Sequence, residues 1–568
     1  QMKQVEEGNF QAPVTITGKD EIADLGKSYN TMIQKIDQLM HQTVAEQEQK
    51  RKSELKALQA QINPHFLYNT LDSIIWMAES GNTDEVVEMT SALANLFRTS
   101  ISKGDEIIPI QVEIDNITSY LTIQKMRYQD KLTYHIDVDD NIKKYLDEYI
   151  NIETPITIRQ MMNNVSGLRD QWELLFLRGI KINDQIDMDD INTTISLQKS
   201  LNFEPQSQYL YSNTGFHLLA LIVEKLSQMS FPQFVKERIF TPLGMTHSFV
   251  RESFTQIVPD LTYSYQDEGD DTFYYNPLNY ALYGPTSVNT CASDLCKVLD
   301  EYIHPNVIDP EIIELMKKPV LLSNGKTAEY CGGLITHKLH GLDVFGHGGA
   351  DAAYRGEIIC IPGKEMGLVP VSNTPTYAMS KLADKAACIV LGLPDCTEPA
   401  VPEHENAPAR SGVFLTALPD DPMFVDITEQ NGTFYMQREW CRTELVKEED
   451  GGYRIGSLDE KIYFTDNEIL YRLPGRVLKL TPAEPVDPAL FQEGTYYNDE
   501  TDSFMKLVKI ENTCEIHMRR HGKTTLYQST SGSIIFRMDA NLVMYVKAEN
   551  DTIIMDGGRI KHIIYQKQ

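Results

Sequence analysis

The stretch Pro155-Ile-Thr-Ile-Arg-Gln-Met-Met-Asn-Asn-Val-Ser-Gly-Leu168 is the first of five short motifs in the middle of the chain. Helical segments of globular type and Gly/Pro turns separate the motifs from one another. The other four are Tyr211-Ser-Asn213, Phe240-Thr-Pro-Leu-Gly-Met245, Ala292-Ser-Asp-Leu295 and His347-Gly-Gly349. Each motif alone would be assigned to packing or to the surface. Only the ordered set indicates a functional site.

Together the five motifs resemble those of the serine β-lactamase-related family, which includes penicillin-binding proteins, class C β-lactamases, D-aminopeptidases and esterases. The resemblance implies an α/β domain of the β-lactamase/transpeptidase type over residues 143–393. It also implies that residues at the matching motif positions transfer a proton, orient the substrate and stabilise the oxyanion. These groups are Tyr211 for proton transfer, Asn213 for orientation, His347 and Gly349 on the strand that lines the site, and the N–H of Ala350 as oxyanion donor.

One residue of this set indicates the kind of substrate. β-Lactamases carry Lys where this chain has His347. The difference favours an esterase or peptidase over an antibiotic hydrolase, and so a small substrate of the ester or D-peptide type.

The nucleophile that the family requires has no clear counterpart. In the family it is the serine of S-x-x-K, upstream of the first motif, with the lysine as its base. Five such strings occur, about two being expected by chance, and they begin at Ser53, Ser100, Ser196, Ser323 and Ser503. Only the first two lie upstream, and after Ser100 the string runs into Gly104-Asp-Glu instead of an apolar helix. We therefore expect Ser100 not to act as a nucleophile, and the S-x-x-K segment to be missing.

A second set of motifs lies near the start of the chain, in Gln59-Ala-Gln-Ile-Asn-Pro-His-Phe-Leu-Tyr-Asn-Thr-Leu71. A phosphoacceptor histidine needs a free imidazole nitrogen on an exposed helix face, and Pro64 would kink a helix beside His65. The string resembles the N-P-H-F-L-Y-N motif of sensor histidine kinases, which implies that His65 is the phosphoacceptor and a response regulator its partner. Residues 5–32 resemble the second half of a HAMP signal-relay module.

The ATP-binding domain of such kinases is not recognisable in the chain. Neither its Asn-bearing helix nor its Gly-rich lid motifs follow Asp140. We therefore expect no cofactor here, although an intact kinase would use ATP. His65 could then receive a phosphate only from another chain.

The N-terminal segment carries a helical apolar pattern. Apolar residues recur at spacings of three and four over residues 28–62, which predicts a coiled coil and a parallel homodimer. A single amphipathic helix packed on a globular core is the alternative. The chain has no apolar run of about 18 residues, the length that would span a membrane, and its first residue, Gln1, indicates a longer product. We therefore expect the parent kinase to lie in the bacterial cell membrane, with this part of it cytoplasmic.

The last part of the chain has the character of an all-β domain. Short strands and turn signals such as Asn431-Gly432 alternate from about residue 411 to the end, which predicts a barrel-like domain. Gly432-Thr-Phe-Tyr435 and Gly494-Thr-Tyr-Tyr497 hint at a repeated half. The predicted organisation is a partial HAMP module (1–40), a phosphoacceptor and dimerisation segment (41–142), the hydrolase domain (143–393), a linker (394–410) and the β-rich domain (411–568).

Composition excludes some functions. The chain has 568 residues and a net charge of −29, which argues against nucleic-acid binding because phosphate contacts need a basic surface. Its eight cysteines form no C-x-x-C pair and no Cys/His cluster with zinc spacing. We expect reduced thiols and no metal site.

The sequence thus predicts a hybrid of a histidine-kinase fragment and a serine hydrolase, inactive in both chemistries as it stands. Two alternatives remain: a signalling protein that uses the hydrolase-like domain as sensor or output, and an active hydrolase with an unrecognised nucleophile. Asp139-Asp-Asn-Ile-Lys-Lys-Tyr-Leu146 resembles the hydrolase family, whereas Tyr134–Asp140 resembles the kinases. The join is therefore predicted between Val138 and Tyr145, inside a folding unit.

Overall fold

The computed structural model divides into two compact units, residues 1–138 and 139–568. It describes residues 24–31, 35, 64–101, 110–128, 141–267, 272–394, 401–416, 422–437, 442–456, 460–473, 476–530, 532–539 and 542–568. Residues 24–31 are helical. Most of the coiled coil predicted over residues 28–62, and part of the predicted linker, lie outside the described residues. No helix in the described ranges is both long and apolar enough to cross a membrane.

The first unit contains three helices that share a small apolar core. They are α1 (Pro64–Glu79), α2 (Thr83–Ile101) and α3 (Ile110–Tyr128). The core consists of Met77, Met89, Ala92, Leu93 and Ile123. Gly81 allows the tight turn between α1 and α2 because it adopts a φ of 80°. All described elements of this unit are helical.

The second unit begins with an α/β domain. Its helices are α4 (Lys143–Leu146), α5 (Ile158–Met162), α6 (Gln171–Leu177), α7 (Met188–Ser196), α8 (Asn213–Ser227), α9 (Phe231–Val235), α10 (Ala292–Ile303), α11 (Pro310–Met316) and α12 (Met379–Leu391). A π-helical turn follows α9 at Lys236–Phe240, and a 3₁₀ turn lies at Pro362–Lys364. Its strands are β1 (Phe249–Val250), β2 (Tyr265–Asp267), β3 (Phe273–Tyr275), β4 (Val288–Asn289), β5 (Val320–Leu321), β6 (Thr327–Ala328), β7 (Tyr330–Cys331), β8 (Leu334–Leu339), β9 (Leu342–Asp351), β10 (Tyr354–Ile361), β11 (Met366–Leu368) and β12 (Val371–Ser372).

The main sheet of this domain lies between helices. Its strand order is β11-β10-β9-β8-β7, and β12 continues the β11 side by pairing with β10. Helix α12 packs on one face through Ala383 and Ala387, while Leu299 of α10 packs with Phe345 on the other. This arrangement confirms the predicted α/β domain of the β-lactamase type.

The C-terminal part forms two closed rings of antiparallel strands. The first ring contains β13 (Gly412–Thr416), β14 (Phe424–Gln430), β15 (Thr433–Gln437), β16 (Arg442–Lys447), β17 (Tyr453–Ile455), β18 (Lys461–Phe464), β19 (Ile469–Leu473) and β20 (Arg476–Pro485), and pairing of β13 with β20 closes it. The second contains β21 (Gly494–Asn498), β22 (Ser503–Ile510), β23 (Thr513–Met518), β24 (Gly522–Thr525), β25 (Tyr527–Ser529), β26 (Ile534–Asp539), β27 (Leu542–Glu549), β28 (Thr552–Asp556) and β29 (Ile563–Lys567). Pairing of β21 with β29 closes this second ring. The predicted barrel is confirmed.

The two barrels repeat one plan, but the sequence hint paired the wrong elements. Gly494 begins the first strand of the second barrel, and its structural counterpart is Gly412, which begins the first strand of the first barrel. Gly432 instead lies in the hairpin turn between β14 and β15, with a φ of 83°. The four-residue match to Gly432–Tyr435 was therefore accidental.

The second barrel and the α/β domain share one helix. Leu174 and Leu177 on α6 belong to the core of the second barrel, where Phe536 and Met505 are also buried. Leu175 on the same helix is buried in the core of the α/β domain. Because adjacent residues of α6 fill two different cores, the helix fixes the barrel against the domain.

Candidate functional site

The tyrosine of the Y-x-N motif is held by a turn of the first motif. Asn164 adopts a left-handed backbone with a φ of 53°. Its side-chain oxygen accepts the backbone N–H of Ser212 at 3.0 Å, and its carbonyl accepts the N–H of Leu210. These bonds fix the extended residues 209–212 just before α8 and so position Tyr211.

Tyr211 lies beside His347, as the motifs predicted. Their ring centroids are 6.4 Å apart. Tyr330 on β7 packs against both rings, 5.9 Å from Tyr211 and 5.6 Å from His347. Burial raises the pKa of Tyr211, with the charge of Arg559 opposing the shift. The Tyr211 hydroxyl is therefore neutral near pH 7.

Both ring nitrogens of His347 have partners. Nδ1 lies 2.6 Å from the carbonyl oxygen of Gly348, so this nitrogen carries the proton and donates. Nε2 then accepts from the Tyr330 hydroxyl at 3.1 Å. Burial lowers the pKa of His347 and favours this neutral form. Sequence reasoning did not find Tyr330, since it belongs to none of the motifs.

The strand that carries His347 has a free edge and an open face. β8 pairs with β9 only as far as Gly346, so residues 347–351 pair with β10 alone among the described strands. A Cβ placed on Gly349 would meet no atom within 4 Å, whereas one on Gly348 would meet the Glu357 carboxylate. Gly349 and Ala350 are exposed. The α12 side of the strand borders a cavity of ≈ 320 Å³, which includes Glu357 but not Tyr211.

Asn213 is directed to a buried carboxylate. Its backbone N–H and its side-chain Nδ2 donate to Asp170 Oδ2 at 2.9 and 2.6 Å. The other oxygen of Asp170 caps α6 by accepting the N–H of Trp172. Asn213 is only 7% exposed. Its amide thus joins α8 to α6 at the wall of the site.

A loop of the second barrel completes this wall. Arg559 places its guanidinium carbon 4.9 Å from the centroid of the Tyr211 ring. The backbone N–H of Arg559 donates to both oxygens of Glu173 at 3.0 Å. Burial, with Asp170 adding to it, raises the pKa of Glu173 to about 7. The sequence motifs did not include Arg559 or Glu173. The adjacent glycines Gly557 and Gly558, which indicate a turn just before Arg559, were the available local signal.

None of the S-x-x-K serines described in the second unit bonds to Tyr211. The Oγ atoms of Ser196 and Ser323 donate to the carbonyls of Thr193 and Gln206, and Ser503 bonds the Tyr565 hydroxyl inside a barrel. Ser100 belongs to the first unit, and Ser53 lies outside the described residues. Among described side chains, none makes a hydrogen bond to the Tyr211 hydroxyl.

One group of described residues has the ligand atoms for a metal ion. Atoms of His247, Cys291 and Asp294 lie within 4.8 Å of one another. Both oxygens of Asp294 already accept hydrogen bonds, from Lys297 on one side and from Ser248 and the His247 N–H on the other. This set of bonds ties a surface turn to α10.

Comparison with known proteins divides the chain in the same way. Residues 1–38 match the HAMP domain model, residues 53–132 the histidine kinase model and residues 128–389 the β-lactamase model. The chain joins a histidine-kinase segment to a β-lactamase-type domain. The kinase and β-lactamase matches of this hybrid meet at residues 128–132, upstream of the join predicted between Val138 and Tyr145. The compact units divide after Val138.

Relatives of each half of the hybrid are known. Sensor histidine kinase YesM of Bacillus subtilis is 39% identical over 149 residues, which make up 26% of each chain. Penicillin-binding protein 4* of the same species is 26% identical over 333 residues, 55% of this chain and 74% of that protein. A D-aminopeptidase of Brucella anthropi is 29% identical over 297 residues, 52% of this chain and 55% of that one. The hybrid therefore spans less than two thirds of the kinase and of the aminopeptidase.

Solved structures also resemble the hybrid. The octameric penicillin-binding protein homologue from Pyrococcus abyssi is 21% identical and aligns with 64% of this chain and 85% of its own, with a TM-score of 0.42.

Proposed function

We propose that the β-lactamase-type part of the hybrid, residues 143–568, binds a small D-amino-acid derivative or D-peptide without hydrolysing it. The observation that carries the proposal is that Tyr211 and His347 lie together near the uncovered Gly349, while the described S-x-x-K serines of this unit form their hydrogen bonds elsewhere. Acyl transfer by this class needs an activated nucleophile. A site that keeps its tyrosine and its strand but lacks the nucleophile can still hold a ligand.

The geometry supports ligand binding in two ways. The outer edge of β9 at residues 347–350 offers backbone groups to an extended ligand, in the manner of strand addition. Tyr211, Tyr330 and Tyr209 supply aromatic surface beside it. The names of the relatives, a D-aminopeptidase and a penicillin-binding protein, favour a D-configured ligand for this domain.

Calorimetric titration of the purified full chain tests this function. N-acetyl-D-alanyl-D-alanine should bind, and its L,L enantiomer should bind at least about tenfold more weakly because a chiral site discriminates by geometry. Liquid chromatography of the same samples should show no released alanine. Tyr211→Ala should weaken binding of the D,D ligand, whereas Tyr274→Ala, at a side chain that is 60% exposed, is the matched control. Multiple turnovers per chain would establish an active hydrolase instead, and equal affinity for the two enantiomers would contradict the proposal.

A second function is supported by the N-terminal unit. We propose that His65 accepts a phosphoryl group from an intact kinase chain and passes it to a response regulator. His65 lies in the first turn of α1, inside the match to the histidine kinase model. In this transfer an imidazole nitrogen of His65 forms the new bond to the γ-phosphorus of ATP held by the other chain, and ADP leaves.

An intact kinase chain is the partner that this function requires, and exposed apolar side chains of α1 could pack against it. Tyr68, Ile75 and Trp76 on α1 are between 56% and 67% exposed. Incubation with an intact related kinase and labelled ATP should give an acid-labile label that His65→Ala abolishes. His340→Ala, which changes an exposed histidine of the second unit, is the control. Label on the His65→Ala chain, or label from ATP without the second kinase, would contradict this assignment.

A further inference from the structure

The loop that reaches the site from the second barrel is a tight turn between β28 and β29. The N–H of Gly557 donates to the carbonyl of Ile560 at 2.7 Å, and the N–H of His562 donates to Asp556 Oδ1 at 2.6 Å. A Cβ on Gly557 would lie 2.5 Å from Glu173 Oε2. A side chain at this position would displace the Glu173 carboxylate that holds the loop.

Hydrogen bonds on both sides fix the backbone of Arg559. Its N–H donates to Glu173, and its carbonyl accepts Nδ2 of the buried Asn202 at 3.0 Å. Asn202 Oδ1 in turn accepts the N–H of Lys561 at 2.7 Å. Arg169 donates to the carbonyls of Lys561 and His562. With its backbone held this firmly, the side chain of Arg559 has a defined direction.

The guanidinium of Arg559 is directed toward Tyr211 and keeps its donors available. Its Cζ lies 4.9 Å from the centroid of the Tyr211 ring, a cation–π contact that holds the guanidinium beside the tyrosine. Nη1 is 3.8 Å from Asp170 Oδ2, beyond hydrogen-bond distance. No described residue accepts a hydrogen bond from this guanidinium. The side chain is 46% exposed, so its donors face the open side of the wall.

The nearby carboxylates accept no hydrogen bond from this guanidinium, although Asp170 lies within ion-pair distance of it. Asp170 is fully buried and accepts three hydrogen bonds, from Trp172 and from the two nitrogens of Asn213. Glu173 bonds the backbone of Arg559 and not its side chain. A guanidinium held beside the tyrosine, with parallel donors that make no hydrogen bond to a described residue, matches the geometry of an incoming carboxylate.

We infer that Arg559 is the anion-binding group of the ligand site and selects ligands with a free carboxylate. The inference rests on the proposed ligand binding by residues 143–568 and deepens it, because it names the charged group that the ligand carries. The free C-terminal carboxylate of a D-peptide is such a group. The recognising side chain thus comes from the second barrel, while the tyrosine and the strand come from the α/β domain.

Two ligands that differ only in this group provide the test. N-acetyl-D-alanyl-D-alanine and its C-terminal amide are titrated into the full chain at pH 8. The carboxylate should bind at least about tenfold more tightly than the amide, since hydrogen bonds between charged groups are worth about 1.5–3 kcal/mol. Arg559→Gln should reduce the preference to within about twofold and change amide affinity less than about threefold.

Two further variants test whether the paired donors of Arg559, and not any positive charge in this loop, recognise the carboxylate. Lys561→Gln removes a cation from the same loop and should leave the preference intact. Arg559→Lys keeps the charge but loses the paired donors, so its preference should be intermediate. An undiminished preference in Arg559→Gln, or no preference in the wild-type chain while the amide still binds, would overturn the inference and leave the proposed binding function standing. If neither ligand bound the folded chain, the binding function itself would be wrong, and the inference with it.

Discussion

Arg169 of the α/β domain donates from Nη1 to Glu500 Oε2 of the second barrel at 2.8 Å, and its side chain is only 1% exposed. The same guanidinium bonds the carbonyls of Lys561 and His562 in the loop that carries Arg559. This one buried side chain therefore links the attachment of the barrel to the geometry of the site.

Removing the carboxylate partner should destabilise the chain strongly. Glu500→Ala leaves a buried guanidinium without its counter-charge, a change that costs about 3–5 kcal/mol. The free energy of unfolding from a urea titration measures the loss. The neighbouring pair Lys199–Asp499 is the control, because its side chains are 55% and 62% exposed. Asp499→Ala should cost less than about 1 kcal/mol. Equal losses in the two variants would contradict a role for Arg169 as a buried anchor.

The shared helix predicts a second loss of stability. Leu174 is fully buried in the core of the second barrel although it belongs to the α/β domain. Leu174→Ala should lower the free energy of unfolding by about 2–5 kcal/mol. Leu226→Ala, at a side chain that is 62% exposed, should change it by less than about 0.5 kcal/mol. If Leu174→Ala left the thermal unfolding temperature of the barrel unchanged, the stability of the barrel would not depend on α6.

Glu173 should make stability depend on pH. Burial raises its pKa from the usual 4.5 to about 7, so between these values the native chain binds a proton that the unfolded chain has released. Its contribution to the free energy of unfolding is therefore present below about pH 4.5 and is lost as the pH rises through 7. Glu173→Gln should remove this part of the slope, whereas the exposed Glu493→Gln should not. A slope that is unchanged in Glu173→Gln would contradict the raised pKa.

Helix α12 of the α/β domain exposes two large apolar side chains. On α12, Ile389 is 79% exposed and Val390 67%, while Ala387 on the same helix is fully buried. Ile389→Glu should reduce aggregation, measured by light scattering, and change the free energy of unfolding by less than about 0.5 kcal/mol. Ala387→Glu should unfold the domain because it places a charge in the core. A large loss of stability in Ile389→Glu would indicate that this face is covered in the folded chain.

Local patterns in the sequence predicted the α/β domain, the barrel type of the C-terminal part and the pairing of Tyr211 with His347. Tyr211 and His347 each belong to a short motif that is visible in the sequence itself, so both could be assigned to the site before their contact was seen. The contact between Glu173 and Arg559 joins residues 386 positions apart, and no local pattern encodes it. Tyr330 was missed for the same reason, since the pairing of β7 with β8 brings it to His347.

The central claim is that the β-lactamase-type site keeps its tyrosine and its strand but has no nucleophile. Intact-mass measurement of the full chain after incubation with a fluorophosphonate, and separately with a penicillin, tests it most directly. Loss of the nucleophile in another serine hydrolase reduced kcat by about a million-fold, so the mass should remain that of the unmodified chain. A stoichiometric adduct, at Ser100 or at any other serine that lowers labelling when changed to alanine, would contradict the claim.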